Sequence, residues 1–516
     1  MATPPNRKWL TLFAMTCSLS MVMIDQAVVS VALPRLQHDL GLSSGTVQWV
    51  VNGYLLALAA LVAVGGRIGE IAGMVRTFVV GVCLFGVGSV MSGLAPNLEV
   101  LLAARALEGL GAALMQPASA VLVAHAFPAN ERGNAMAMYN GAAMLFLAVG
   151  PVLGGALTQF LSWRWVFAIN PMLTVLALVL TARARPDSPP RSEEPLDARG
   201  AVLLVLGTSG LVLALQQSPV WGWTSSLTLT ALVGGLALLV VFAMLQARTP
   251  APLLDLGLFR SQRFSANTVV LFCVQFALVG QMVFGAIFLQ KVLQFPPLLA
   301  GAAALPAMAM LLLVVPLSGK LYDRLGARPL VLAATAAVAG SFFLQGELMP
   351  LLRYEWLVPG MLLQGIGLGL VMAPALADAL SGAPAAKRGQ AFGVLTTFRQ
   401  LGGTIGLAAI GPLVVFLLHG KTYTLAEQAA RGPTEVAALH DLLVGAERGS
   451  AAAVETLRTQ DPAALAALKR IVAESIGGGY RLGGAVCLAA FFLCLAMLPA
   501  GRPSEAAEHS AAPAPA

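Results

Sequence analysis

Charge is what this 516-residue chain has least of: Asp, Glu, Lys and Arg make up only 11% of it, against roughly 25% in an ordinary soluble domain. That scarcity excludes a water-facing surface over most of the molecule. Cysteine is also rare, and all five (Cys17, Cys83, Cys273, Cys487, Cys494) fall inside apolar runs. There a thiol reads as a small core residue, not as part of a disulfide framework or a metal site. The histidines are scattered, and no His/Cys cluster, nucleophile elbow or soluble catalytic domain is present, which argues against an embedded enzyme or receptor. No Gly-x-x-x-x-Gly-Lys-Ser/Thr segment occurs, since Gly319-Lys320 is followed by Leu321; ATP-driven pumping within this chain is thereby excluded. The short alternating strands of an outer-membrane barrel are missing as well.

What the chain has in excess is apolar length, 58% of its residues being hydrophobic. Fourteen runs of membrane-crossing length fall near 10–33, 47–66, 77–95, 98–124, 134–158, 165–182, 200–217, 226–246, 266–290, 298–318, 329–347, 356–377, 391–418 and 481–500. A bilayer core of ~30 Å needs about 20 residues of helix, and only helices satisfy their own backbone there. The first run follows Arg7 and Lys8 like a signal peptide, but no small-x-small cleavage site closes it before Pro34, so it reads as a retained span. An N-terminus in the cytoplasm puts eighteen Lys and Arg on the inner side, against Arg35, Arg164, Lys291 and Arg353 in the short outer loops. This positive-inside bias predicts a multi-pass protein of the cytoplasmic (inner) membrane with both termini cytoplasmic. The net charge of +7 thus orients the chain in its lipid bilayer, and no nucleic acid is implied.

Three segments recur about 255 residues apart. Gly66–Gly73 returns as Gly319–Gly326, Leu107–Gly111 as Leu363–Gly367, and Arg132–Ala135 with Gly150 as Arg388–Ala391 with Gly406. Two homologous membrane halves facing each other suggest a transporter with its site at their interface. The predicted fold is all-α and integral to the membrane, with 14 transmembrane helices in two six-helix pseudo-symmetric bundles plus an inserted two-helix hairpin. The division is 1–182 for the N-terminal bundle, 183–199 for a cytoplasmic linker, 200–263 for the hairpin and its connection, and 264–500 for the C-terminal bundle. A disordered tail over 501–516 completes the chain. Residues 420–479 form a predicted extracytoplasmic loop, with a cap at Asp461-Pro462, a helix ending at Gly477 and a second short helix over Thr434–Leu443. That loop is either a surface excursion or a lid or docking surface. Trp9, Trp163, Trp165, Trp221, Trp223 and Trp356 sit near span ends, as interface anchors do.

Charges inside spans are costly, so each needs a reason. Asp25 lies in the first span, Arg105 and Glu108 in the fourth and Arg399 in the thirteenth, while Glu347 and Asp378 lie near enough to span ends to reach water. Asp25 shares a helix face with Ser18 and Thr11, a polar stripe turned toward a cavity. Burial disfavours a charged carboxyl and a guanidinium favours it, so a carboxylate whose surroundings change with conformation can load a proton on one side and release it on the other. The competing reading is a structural ion pair. Arg105 is the natural counter-charge, and its repeat-equivalent is Met361, so the fold itself does not require the charge. Glu108, one turn on, forms either part of this coupling site or an intrahelical pair.

Gly150, Pro151, Gly154 and Gly155 in the fifth span permit both tight packing and a pivot. In the two cytoplasmic loops, Gly66, Glu70 and Gly73, and Asp323, Arg324 and Gly326, can latch an inner gate by setting an acid against a helix N-terminus or an Arg, or can be solvated turns. Gln116, Asn140, Gln275, Gln281 and Arg399, with methionines such as Met282 and Met372, are candidates for an adaptable substrate cavity or for ordinary packing.

These residues carry a resemblance. Asp25–Pro34, the Gly66–Gly73 loop, Arg105-Ala-Leu-Glu-Gly-Leu-Gly, Gly150-Pro151 with Gly154-Gly155, and Trp163–Pro171 together resemble the major facilitator superfamily, specifically its fourteen-span drug:proton antiporters of the EmrB/QacA type. The resemblance covers nearly the whole chain. It implies proton-coupled export of small amphipathic drugs or toxic compounds by alternating access, with Arg105 linked to proton transfer, no cofactor and a monomeric functional unit. Two departures stand out. The cytoplasmic motif usually has Asp where this chain has Glu70 and basic residues where it has Ile71, Met74 and Val75, which weakens the first-half latch. The fourth-span motif usually has Gln where Glu108 stands, which implies either a cation preference or a second protonation site. The alternative function is export of a lipid or endogenous metabolite with an accessory envelope protein at 420–479.

Overall fold

The computed structural model describes residues 5–128, 131–188, 195–250, 252–382, 388–429, 439, 441–445 and 450–499. Part of the expected linker, the expected tail and most of the short helix expected over 434–443 lie outside them. Among the described residues helix is the only regular structure. The elements are α1 (Pro5–Asp39), α2 (Ser44–Val47), α3 (Trp49–Ala72), α4 (Met74–Leu94), α5 (Leu98–Ala126), α6 (Arg132–Phe160), α7 (Trp165–Ala184), α8 (Ala198–Trp221) and α9 (Ser226–Gln246). They continue with α10 (Gln262–Ile287), α11 (Pro297–Ala302), α12 (Leu305–Leu325), α13 (Ala327–Leu348), α14 (Val358–Ser381), α15 (Arg388–Ala429), α16 (Ala451–Gln460) and α17 (Pro462–Met497). Among the described residues, 12 helices are long and apolar enough to cross a membrane. The remaining two long helices are α5, made less apolar by Glu99, Arg105 and Glu108, and α6, apolar over Leu145–Phe160. Both have 29 residues, a length of about 44 Å. Short turns make successive long helices alternate in direction, which gives the molecule an N-terminal end and a far end.

Local chemistry places the breaks. Asn97, Ser225 and Ser261 cap α5, α9 and α10 through their side-chain oxygens. Gly73 (φ 104°) joins α3 to α4, and Gly326 (φ 77°) joins α12 to α13; both hold backbone angles that L side chains resist. The repeated glycines also share packing partners. A Cβ at Gly109 would strike Tyr54 and Ala57 of α3, and one at Gly111 would strike Phe85 of α4. Their repeat mates Gly365 and Gly367 meet Ala307 of α12 and Val338 of α13, while Gly150 meets Ala27 of α1 and Gly406 meets Phe276 of α10. The same small residues thus bring corresponding helices into backbone contact in each half.

Between the halves, α1 touches α10, α3 packs on α15, and α6 packs on α11. Helix α8 lies against both α3 and α15, tied by Asn52 Nδ2 donating to Gln216 Oε1 (3.1 Å) and Gln216 Nε2 to Gln48 Oε1 (3.3 Å). Its partner α9 leaves Leu227, Val233, Val240 and Met244 exposed, a surface suited to lipid.

Within the expected loop at 420–479 the described residues are largely helical. Helix α15 runs on to Ala429, and α17 begins at Pro462 and continues unbroken past Gly477 to Met497. Gly477 does not end the helix because its missing side chain is used to approach Gly346. Asp461 does cap α17, accepting from the Ala464 N–H at 2.9 Å. Ala426, Leu443, Leu457, Ala464 and Leu468 form a second small core, and Lys421 Nζ pairs with Glu474 at 2.5 Å. Two further expectations need correction. Trp163 is fully buried, its ring covered by the Arg164 guanidinium and set edge-on to Phe167, so it is no interface anchor. Cys83 is exposed and is not a core residue.

Gly109→Ala is expected to cost about 1–3 kcal/mol by overpacking α5 on α3. Gly141→Ala, where a Cβ meets nothing within 4 Å, should leave the melting midpoint of purified protein unchanged. Equal midpoints for both variants would contradict the close helix contact.

Candidate functional site

The charged residues of α1 and α5 converge. Arg105 Nη1 donates to Asp25 Oδ1 at 2.9 Å and lies 2.8 Å from Oδ2; the same nitrogen donates to Glu108 Oε2. Its Nε donates to the Val50 carbonyl at 2.9 Å. The guanidinium lies 4.5 Å from the Tyr54 ring centre and 5.7 Å from that of Phe167. Ser92 Oγ donates to Glu108 Oε1 at 2.7 Å. Asp25, Arg105 and Glu108 are all buried, at 2%, 1% and 0% exposure, so these contacts act without screening by water. Fully ionised, two carboxylates and one guanidinium leave a formal charge of −1, and one bound proton makes the cluster neutral. Arg105 Nη1 thus lies within reach of both Asp25 oxygens. Asp25 borders a void of about 10 Å³ shared with Val279, Met282 and Val283 of α10, roughly one water in size.

The second half holds the uncharged counterpart. At the repeat positions of Arg105, Glu108 and Ser92 stand Met361, Gln364 and Gln345, and Gln281 of α10 reaches the last two. Gln281 Nε2 donates to Gln364 Oε1 at 2.7 Å and to Gln345 Oε1 at 3.3 Å, and Gln364 donates back to Gln281. Three amides thus satisfy one another where the first half packs three charges. Gln281, expected on a cavity wall, is engaged in this cluster. Helix packing at these positions is therefore achievable without ions.

Other expected residues distribute unevenly. Gln275 and Arg399 meet in a central cavity of about 30 Å³, with Gln26, Met23, Met282 and Met372. Gln116 is buried in α5 away from that cavity, and the side chains of Asn140 and Asp323 lie outside the described residues. Thr11 and Ser18 are buried and donate to carbonyls of their own helix, Arg7 and Met15. The polar stripe is thus spent on backbone, and Asp25 with Gln26 alone of it faces a void. Asp378, expected to reach water, is fully buried and accepts from Arg263 (2.6 Å) and Asn267 (2.8 Å). Glu70 pairs with Arg67 of its own helix at 2.6 Å, and Arg324 is exposed.

Gly150 and Gly154 press on Ala27 and Val28 of α1, next to Asp25, while Gly155 meets Pro297 and Leu298, and Gly301 meets Pro151. One face of α6 therefore joins the charged cluster's helix to the second half. Sequence reasoning missed Tyr54, Ser92, Gln345 and Gln364. Extending the repeat alignment through every polar position would have found the last three.

Residues 15–407 match the family profile described as Major Facilitator Superfamily. A tetracenomycin C resistance and export protein of Streptomyces glaucescens is 33% identical over 521 residues, covering 99% of this chain and 95% of that one. The multidrug resistance protein Stp of Mycobacterium tuberculosis is 32% identical, covering 84% and 81%. A crystal structure of the peptide transporter POT in complex with sulfate shares the fold, with a TM-score of 0.63 over 97% of this chain and 98% of that one at 16% identity.

Arg105→Met alone strips two buried carboxylates of their counter-charge, and a loss of about 3–5 kcal/mol in stability is expected. Adding Asp25→Gln and Glu108→Gln copies the second half and should restore the thermal midpoint. A triple variant no more stable than Arg105→Met would contradict the symmetry argument.

Proposed function

The chain belongs to the Major Facilitator Superfamily, and from that premise we propose that it is a proton-coupled antiporter exporting amphipathic drugs or other toxic small molecules by alternating access. Membership makes it a membrane transporter and not an enzyme. The observation that carries the reading is the buried Asp25–Arg105–Glu108 cluster, one proton short of neutrality, in one half only. The resistance and export proteins among its relatives support efflux.

In this reading α5 and α6 join the twelve apolar helices as spans, giving fourteen. Residues 1–182 and 264–500 form the two bundles, and 200–263 is a hairpin leaning on both. The N-terminal end faces the cytoplasm, on the side where the basic residues collect. Asp25 carries the proton. Its carboxyl borders the void shared with α10 of the opposite half, so rocking the halves apart opens that carboxyl to water. Arg105 stays charged and holds the carboxylate between visits of the proton. Glu108 lies behind Arg105, and its carboxylate completes the charge balance. Each proton entering across 100 mV supplies about 2.3 kcal/mol from the membrane potential.

The central cavity of about 30 Å³ is far below the roughly 300–1,000 Å³ of a drug-sized site, so the centre is closed in this conformation. A vestibule of about 480 Å³ lies at the far end, between α1, α10, α15 and α17. Pro151 and its flanking glycines pivot where α1, α6 and α11 meet, and the Gly73 and Gly326 turns hinge the cytoplasmic ends.

Everted vesicles holding the wild type should accumulate an amphipathic dye in a manner that collapses with a proton uncoupler. Asp25→Asn should express normally yet accumulate no more dye than empty vesicles. Uncoupler-sensitive accumulation at the wild-type rate in that variant would remove Asp25 from the mechanism.

A further inference from the structure

Arg399 differs from four other guanidiniums placed within or beside the spans. Arg105, Arg263, Arg67 and Arg481 each face a carboxylate, from Asp25 and Glu108, Asp378, Glu70 and Glu347. Among the described residues no carboxylate faces Arg399, and its Nε is buried without a hydrogen-bond partner. Its one ionisable neighbour is the phenol of Tyr139, which is already engaged with Ser119 Oγ at 2.6 Å. A guanidinium set among apolar side chains without a counter-ion is expensive. Arg399 nevertheless lines a cavity that lies between the halves. The rest of that wall is three methionines (Met23, Met282, Met372) and four leucines with the amides of Gln26 and Gln275, an adaptable apolar lining around one fixed positive charge.

The far-end vestibule repeats the sign. Its wall carries Arg35, Lys291 and Lys469 and, among the described residues, no carboxylate; Arg35 pairs with Asp39, which is not part of that wall, at 3.4 Å. A cleft of one charge sign with low-dielectric walls concentrates ligands of the opposite sign. Gln26 and Met282 border both the void at Asp25 and the cavity at Arg399, so the two sites are separated by single side chains.

From these observations we infer that the exported compound is an organic anion: an apolar body seated among the methionines, with a carboxylate or equivalent acidic group as the missing partner of Arg399. The inference rests on the export reading above and narrows its substrate class. The bound acid would complete the guanidinium's hydrogen bonds as Asp25 completes those of Arg105. Upon opening toward the far end, the basic vestibule would receive the same anion.

The test uses the full chain in lipid nanodiscs and three dansyl-labelled alkyl probes of one length, ending in a carboxylate, a carboxamide or a primary amine. Binding is read by dansyl fluorescence at a pH where the acid is ionised. The wild type should bind the carboxylate about tenfold or more tighter than the carboxamide, as a charge-assisted hydrogen bond allows. Arg399→Gln should bind carboxylate and carboxamide alike, with carboxamide affinity retained as evidence of a folded site, and Arg399→Lys should keep part of the preference. No carboxylate binding by the wild type, a preference for the amine, or a carboxylate preference that survives in Arg399→Gln would overturn the assignment. The export reading fails separately, if none of the three probes moves across vesicles in an uncoupler-sensitive way.

Discussion

One arginine set between two carboxylates in an apolar interior constrains the rest of this molecule. Arg105 cannot shed its charge, and it is pinned by Asp25, Glu108, the Val50 carbonyl and the Tyr54 ring. These contacts fasten α1, α3 and α5 into one unit. They also leave that unit with two negative groups for one positive, so its charge depends on a single proton. The partner surface across the void belongs to α10, in the other half of the molecule. A local charge balance is thereby tied to the relative position of the two halves.

The repeat serves as an internal control. Gly109 and Gly365, Gly111 and Gly367, and Gly150 and Gly406 make corresponding contacts, so the halves share one packing scheme. Where the first half carries Asp25, Arg105 and Glu108, the second carries Gln281, Met361 and Gln364, of which Gln364 is buried and the other two half-buried. Burying ions costs more than burying mutually bonded amides. The charges therefore call for a reason outside stability, and the proposed coupling to a proton would supply one. Arg399 poses the reverse problem, a charge that faces no carboxylate among the described residues, which is the ground for the proposed anionic cargo.

The helical, multi-span character of the chain was legible from its apolar runs, and the Asp25–Arg105 pairing from the rarity of intramembrane charge. Glu108 was ambiguous because an i,i+3 spacing fits an intrahelical pair, and the structure shows that pair and the link through Arg105 to Asp25 together. At 420–479 the cap at Asp461 was legible but the end of its helix was not. The charge density there excludes a span, but α15 and α17 simply continue beyond the apolar region into a small core of their own. The fate of Thr11, Ser18, Asp378 and Gln281 was hidden because a polar residue's partner lies on another helix or on its own backbone, and spacing alone does not say which.

The central claim is that the cluster exchanges a proton as the substrate comes and goes. Its most direct test is to count protons released or taken up per substrate bound, with a pH indicator and purified protein in weakly buffered solution. The account expects about one proton per substrate for the wild type, the number that neutralises the cluster, and none when Asp25, Arg105 and Glu108 are replaced by the residues of the second half. An unchanged proton count in that variant would place the coupling elsewhere.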